Sequence, residues 1–336
     1  MKRTATTILL SALVVPATAP AQTKTGTSLA QFLGIEPSAR VASMGNAGVA
    51  LVSGIEAVYF NSGAIATLDR PAVQFTHSDW FAEINFNYAA ATLPVKGFGT
   101  LFASVTSLNS GAIAVRTVAQ PLGTGENYDV RDIAVGLGYG RMLSGRVATG
   151  LQIHYVSERI WHTSYDMITF SLGTVYALTE NGLQLGAALT NLGTKSRYTG
   201  PDLAIQYDAN PDIYGDNSGL PATQFTDEFP VPLLFRVGMS YPFRFGERNH
   251  LLLAVDALHP SDNTESANLG AEWTWNDTLA LRGGYQTLFQ TDSELGPTLG
   301  LGLQSGLGEN RFEVDYAWAD HQRLAETHRL TLTLEL

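Results

Sequence analysis

The side chains that could carry chemistry are few, and their spacing assembles no catalytic set. The seven histidines fall at positions 77, 154, 162, 250, 259, 321 and 328, without a His-Glu-x-x-His pair or a carboxylate at a metal-ligand interval. A zinc site needs several such ligands converging on one point, which this spacing does not supply. Cysteine is absent, which removes thiolate nucleophiles, thiolate metal sites and disulfides together. No Gly-x-Ser-x-Gly elbow occurs, so an esterase-type serine has no seat. Gly-x-Gly pairs such as Gly136-Leu137-Gly138 and Gly300-Leu301-Gly302 lie inside alternating segments. A phosphate loop needs its glycines in a turn between strand and helix, so these are packing glycines. Asp202, Asp208, Asp212, Asp216, Asp227 and Glu228 crowd the stretch 193–230, but Pro211 interrupts them and Ile213 stands where a calcium loop of EF-hand type requires glycine. A solvated loop is expected there. No catalytic residue, metal or cofactor is expected anywhere in the chain.

A second set of charges is more informative: Arg131, Arg236, Asp256, Glu272, Arg282, Glu313 and Asp315. Each reads as lying on the polar face of a two-sided segment, so its meaning depends on the element that carries it. From residue 71 onward the chain runs in segments of about ten residues, apolar at every second position. Leu269, Ala271, Trp273 and Trp275 share one face, with Asn268, Gly270, Glu272 and Thr274 on the other. Leu299, Leu301 and Leu303 oppose Gly300, Gly302 and Gln304, and the last segment sets Leu330, Leu332, Leu334 and Leu336 against Thr331, Thr333 and Glu335. Side chains on a strand alternate faces, so every segment has one apolar side and one polar side.

Soluble sandwiches alternate too. Here the polar side carries glycine, small residues and whole charges, which suits an aqueous lumen. Aromatics gather near segment ends, at Tyr139, Tyr155, Tyr176, Tyr241, Trp275, Tyr285 and Trp318. Connections alternate between short ones, such as Asn276-Asp277, and long ones, such as 193–230. Interfacial aromatic girdles, short inner turns and long outer loops are the pattern of a transmembrane β-barrel. The expectation is an all-β chain folded as a 14-stranded antiparallel transmembrane barrel, with strands at 72–80, 84–93, 98–108, 130–142, 146–157, 166–177, 182–191, 231–242, 249–258, 266–275, 278–287, 297–305, 310–319 and 327–336. A charge facing lipid at midplane costs about 2–4 kcal/mol, so the seven charges are expected in the lumen, paired with one another and with whatever fills it.

Two further regions precede the barrel. Lys2 and Arg3, an apolar run from Ile8 to Val15 and the end Ala19-Pro20-Ala21 have the form of a secretory signal peptide over residues 1–21. Residues 22–70 do not alternate and are rich in Ala, Gly, Ser and Val. Short helices are expected near Ser28–Gly34 and Ser38–Ala47. So short a piece has no independent core, whereas a fourteen-stranded barrel has a lumen to fill. It is therefore expected inside residues 71–336 as a hatch. No stretch offers 18 consecutive apolar residues, so helical spans are not expected. The formal net charge of −11 and only 20 Lys and Arg argue against nucleic acid as a partner. The outer-membrane lipid and lipopolysaccharide are the expected surroundings.

The stretch Ala39-Arg40-Val41-Ala42-Ser43-Met44-Gly45-Asn46-Ala47, followed by Glu56-Ala57-Val58-Tyr59-Phe60-Asn61-Ser62-Gly63-Ala64-Ile65-Ala66, resembles the opening of the PorV/PorQ family, within the wider FadL-like group of outer-membrane proteins. Arg40, Met44, Gly45, Ala47, Asn61 and Ala66 match its pattern, and Ser62 replaces a proline. The likeness covers about 40 residues; the rest agrees in barrel pattern and length. The resemblance implies a non-enzymatic component of type IX-like secretion that contacts secreted cargo proteins or other secretion-system subunits. Alternatively, a FadL-like relative would transport hydrophobic small molecules through the barrel and sideways into the membrane. A transporter needs an apolar pocket at the hatch and a gap in the wall; a secretion component does not.

Overall fold

The computed structural model describes residues 25–336 apart from 53, 180, 181, 214, 216–218 and 291. The expected signal peptide and Asp216 therefore lie outside the described residues.

The barrel strands are β1 (Ala72–Asp79), β2 (Asn85–Val95), β3 (Gly99–Asn109), β4 (Val130–Ser144), β5 (Val147–Ile160), β6 (Thr163–Ala177) and β7 (Gln184–Gly193). They continue as β8 (Leu234–Phe245), β9 (Asn249–Pro260), β10 (Ser266–Trp275), β11 (Leu279–Leu288), β12 (Pro297–Leu307), β13 (Asn310–Ala319) and β14 (Thr327–Glu335). Each pairs antiparallel with its sequence neighbours, and β1 closes on β14 from Ala72 opposite Glu335 to Asp79 opposite His328. Closure leaves no row of unpaired N–H and C=O groups, the condition a sheet must meet in hydrocarbon.

The two faces of the wall are inverted relative to a soluble protein. Outward positions expose Leu101, Val105, Ile133, Leu137, Leu172, Leu299, Leu301 and Leu332 by 40% or more, while inward Gln74, Thr76, Thr169, Asp256, Asn268, Thr298, Asp315 and Thr331 are buried. Exposed apolar area on this scale is unfavourable in water and favourable against lipid chains. Strand ends carry the aromatic residues: Tyr139, Tyr176, Tyr241 and Trp275 lie near the short-turn rim, and Tyr155, Tyr285 and Trp318 nearer the long-loop rim.

Long connections all leave one rim. Residues 110–129 carry a small hairpin, Ile113–Ala114 against Asn127–Tyr128. The longest, 194–233, carries a single turn at Pro201–Leu203 and a hairpin of Ala204–Tyr207 with Leu220–Thr223.

The N-terminal segment threads into the lumen. It forms a 3₁₀ turn at Gln31–Gly34, one helical turn at Ala39–Ala42 capped by Ser38, a second at Ala57–Phe60, and a 3₁₀ turn at Ala64–Thr67. Its small residues account for the path: Ala39, Val41, Met44, Ala47, Val49, Ala64 and Ile65 are fully buried. Its backbone is held by inward side chains from around the wall. Ala39 and Gly45 donate N–H bonds to Thr331 and Thr298, each 2.9 Å, and Ser240 donates to the Ala50 carbonyl at 2.9 Å.

Candidate functional site: the hatch and the cavity above it

The hatch is seated first by backbone contact. Inward glycines in β10 and β11 leave no room for a side chain: a Cβ at Gly270 would overlap the Met44 carbonyl, and one at Gly284 would overlap the Gly45 amide. Gly45 has φ +63, and a Cβ there would collide with the backbone of Leu269 and Tyr285. Only glycine combines that left-handed conformation with so close an approach. Asn61 makes a third seat, donating from Nδ2 to the carbonyls of Val49 at 2.7 Å and Thr174 at 2.9 Å, while its Oδ1 accepts the Gly63 N–H at 3.0 Å. One amide thereby ties two limbs of the hatch to β6. The Ser62 that stands where the family pattern has proline follows directly, and its hydroxyl has no hydrogen-bond partner among the described residues.

A charge network fastens the hatch at the short-turn side. Arg40 donates from Nε to Glu272 Oε2 at 2.9 Å and from Nη2 to Oε1 at 2.8 Å. Arg282 meets the same carboxylate at 2.6 Å and also reaches Glu313 at 3.2 Å and Asp315. Glu56, on the hatch, lies 3.9 Å from Arg40, and burial pushes its carboxyl up to about 7. The fork-to-fork geometry of Arg40 on Glu272 fits a bidentate guanidinium–carboxylate pair. Opposite charges placed on β10, β11, β13 and the hatch thus converge on one cluster, lining a cavity of about 200 Å³ with His250 and Asp277 of the short-turn rim.

The remaining sequence-flagged charges lie elsewhere. Asp256 accepts the N–H groups of Gly48 and Val49 at 2.8 and 2.9 Å. Arg236 is 3% exposed; it stacks over Tyr59 and Phe60, 5.6 and 5.3 Å from their ring centres, and comes within 3.8 Å of Glu36. Arg131 does not face the lumen. Its side chain is 61% exposed and pairs with Asp129 at the long-loop rim, while the inward neighbour Asp132 is buried. The rim lies outside the hydrocarbon, where an outward charge costs little.

Several site residues are absent from the sequence reading. Glu158 of β5 accepts the Ala30 N–H at 3.1 Å and the hydroxyls of Tyr165 and Tyr198. Since Tyr198 belongs to the long loop 194–233, one carboxylate joins that loop to the start of the hatch. Leu29 adds a bond of 2.9 Å to the Pro230 carbonyl of the same loop. Burial, then the Glu158 hydrogen bond, raises the Tyr198 phenol and keeps it a donor. Partners this far apart in the chain carry no joint periodicity, so nothing short-range could reveal them.

Above the hatch lies a cavity of about 980 Å³. Its floor is Phe32, Leu33, Ile35, Glu36 and Tyr59; its sides include Tyr88, Gln152, His154, Arg236, Leu258 and Gln286; its mouth lies among Asp262, Phe289 and Asp292 of the long loops. The hatch is therefore the floor of one cavity and a wall of the smaller one. On the outside of the barrel, an apolar hollow of about 500 Å³ is formed by Met239, Tyr241, Leu253, Val255, Leu269 and Tyr285, backed by Gly270, Gly283 and Gly284. The cavity and the hollow meet the same two strands on opposite faces. Between them the β10–β11 ladder shifts register at Ala267 and Leu269. There Asn268 Oδ1 accepts the Thr287 N–H at 2.8 Å, and Thr287 has φ +52. An extra residue in one strand breaks the ladder locally and bends it.

No known protein family and no curated protein matches the sequence. Solved structures do. The Pseudomonas putida toluene transporter TodX superposes with a TM-score of 0.54 at 14% identity, over 90% of this chain and 98% of TodX. The Ralstonia pickettii toluene transporter TbuX gives 0.55 at 11% identity, over 88% and 96%. A Pseudomonas aeruginosa FadL homologue gives 0.51 at 10% identity, over 88% and 96%. At such identities the likeness is one of fold, and by fold this chain is a closed fourteen-stranded barrel of FadL type.

Proposed function

We propose that the chain is an outer-membrane transporter that admits small, largely apolar molecules from outside and closes the barrel behind them with its hatch. The observation that carries this reading is the back-to-back placement of the large cavity and the lipid-facing apolar hollow across a broken stretch of ladder at Asn268 and Thr287. A ligand entering between the long loops meets a pocket whose volume suits a drug-sized molecule. Further descent is blocked by buried hatch backbone, and the short way out of water is sideways, through the irregular wall, once the Met44 and Gly45 backbone that backs it at Gly270 and Gly284 moves off. The folds of two toluene transporters support the same reading. The secretion reading rests on the motif over residues 39–66 and has no cavity requirement, so the pocket and hollow would be incidental to it.

Uptake into proteoliposomes tests the proposal. Vesicles carrying the purified chain are expected to take up a labelled monoaromatic compound faster than protein-free vesicles, after correction for passive partitioning. Equal rates, together with co-purification of secreted proteins from native membranes, would return the reading to secretion.

A further inference from the structure

The outer face of the barrel carries a pair of arginines that the lumen does not explain. Arg131 of β4 and Arg159 of β5 stand directly opposite each other in the ladder. Both turn outward at the long-loop rim, with side chains 61% and 48% exposed. Like charges opposed across a ladder destabilise it. Asp129 is the one carboxylate joined to them among the described residues: Arg131 donates to its Oδ2, and Arg159 comes within 3.8 Å of its Oδ1. One positive charge is left over. The next acid toward the midplane, Asp166, is engaged by the Tyr155 hydroxyl at 2.7 Å.

The surroundings of the pair are layered along the membrane normal. On the midplane side run Ile133, Val135, Leu137 and Ile153, all exposed on the lipid face. On the loop side opens a hollow of about 670 Å³, lined by Ile113, Arg116, Tyr128, Trp161 and Asp202 among others. Pair and hollow meet at Asp129, whose carbonyl accepts the Trp161 N–H at 3.1 Å while its carboxylate faces the arginines. Trp161 and His162 form the two-residue turn between β5 and β6. Trp161 holds φ +53 there, where asparagine or glycine is the usual choice. Its ring stacks on His162 at 4.7 Å and lies 6.2 Å from that of Tyr128. Asp202 pins His162 in turn, accepting its N–H at 3.1 Å and meeting Nδ1 at 2.9 Å. A rigid aromatic face edged by polar groups suits an amphipathic ring better than an acyl chain.

We propose that this face is a binding site for a phosphoglycolipid of lipid A type. Its acyl chains would lie on Ile133, Val135 and Ile153, its phosphate between Arg131 and Arg159, and the phosphorylated sugar against Trp161 and Tyr128. A phosphate takes up the unmatched charge, and its oxygens suit the guanidinium fork. A phospholipid without sugar satisfies the arginines but leaves the aromatic hollow empty. The site lies outside the barrel and requires only that the long loops face outward, so it stands apart from the transport reading.

The test places the full chain in phosphatidylcholine nanodiscs and adds bis-phosphorylated lipid A, its dephosphorylated form, or phosphatidylglycerol, with bound lipid read by native mass spectrometry. Wild type should retain lipid A about tenfold over either of the others. Arg131→Gln and Arg159→Gln should each lower that retention about fivefold, the scale of one arginine at an anionic surface. Trp161→Ala should weaken lipid A and leave phosphatidylglycerol unchanged. Arg141→Gln, at an outward arginine of β4 on the short-turn rim, should change nothing. Equal retention of lipid A and its dephosphorylated form would overturn the phosphate assignment, and phosphatidylglycerol matching lipid A would overturn the sugar assignment. An equal loss in Arg141→Gln and Arg131→Gln would reduce the site to general surface charge and overturn it as well. If Trp161→Ala does not fold, the three lipids compared on wild type decide the matter.

Discussion

Arg40 of the hatch lays its guanidinium flat against Glu272 of the barrel wall, with both carboxylate oxygens engaged at 2.8 and 2.9 Å. Glu272 is shared with Arg282 at 2.6 Å, so it is the hub of the fastening and Arg40 its mobile end. Removing one partner of a buried pair costs about 3–5 kcal/mol because the other is left uncompensated. Arg40→Ala leaves Glu272 paired with Arg282 and should fall at or below the lower end. Glu272→Gln takes the shared carboxylate from both arginines, leaving Arg282 to Glu313 and Asp315 and Arg40 to Glu56 at 3.9 Å, and should cost more. Single-channel recording in planar bilayers checks the order: opening events should be rare in wild type, more frequent in Arg40→Ala and most frequent in Glu272→Gln.

A steric prediction follows from the wall glycines. Gly284→Val would drive a side chain into Met44 and Gly45, whereas at Gly283 the nearest atom to an added Cβ is Leu299 Cδ2 at 3.7 Å, on the outer face. Gly284→Val should therefore unseat the hatch and raise its proteolysis in the folded barrel. Gly283→Ala should leave it at the wild-type rate. Equal proteolysis of the two would mean that the hatch does not press on β11.

The pH dependence of the seat has a definite sign. Burial raises Glu56 from 4.5 to about 7 in the closed form, and a released hatch returns it to water. A group whose seated value is raised favours the seated state fully below its free value, and loses that contribution as pH climbs through the seated one. The hatch should thus hold more firmly near pH 5 than near pH 8, with most of the change between 4.5 and 7. Open probability measured across that window should rise with pH, and Glu56→Gln should flatten the rise.

Lipid contact is tested on the outer face. Leu301 is outward and 41% exposed, so Leu301→Arg should cost about 2–4 kcal/mol if it meets hydrocarbon. Reversible folding into vesicles would register this as a lowered denaturant midpoint. A surface position in water would show no such loss.

The wall was legible because hydrocarbon outside and polar groups inside force strict alternation; Leu299, Leu301 and Leu303 against Gly300, Gly302 and Gln304 already state which side is which. Arg131 shares the odd, outward positions of Ile133, Val135 and Leu137, which are all exposed, and so departs from the inward placement expected of a charge. At a strand's rim, sign and parity no longer agree, since a charge there is free to face outward. The inward glycines were visible as polar-face residues, but their purpose was not, because it depends on where Met44 and Gly45 pass. Pairings such as Glu36 with Arg236, or Ala30 with Glu158, join distant parts of the chain. Only the fold brings them together.

Cargo can pass only if the hatch moves. Ala42 of the hatch packs against Ala317 of β13, and the chain contains no cysteine of its own, so Ala42→Cys with Ala317→Cys gives one disulfide that can be made and broken. Proteoliposome uptake of a labelled monoaromatic compound, measured before and after reduction, should be near the protein-free rate when oxidised and return to wild type when reduced. Uptake at the full rate with the disulfide closed would contradict a moving hatch.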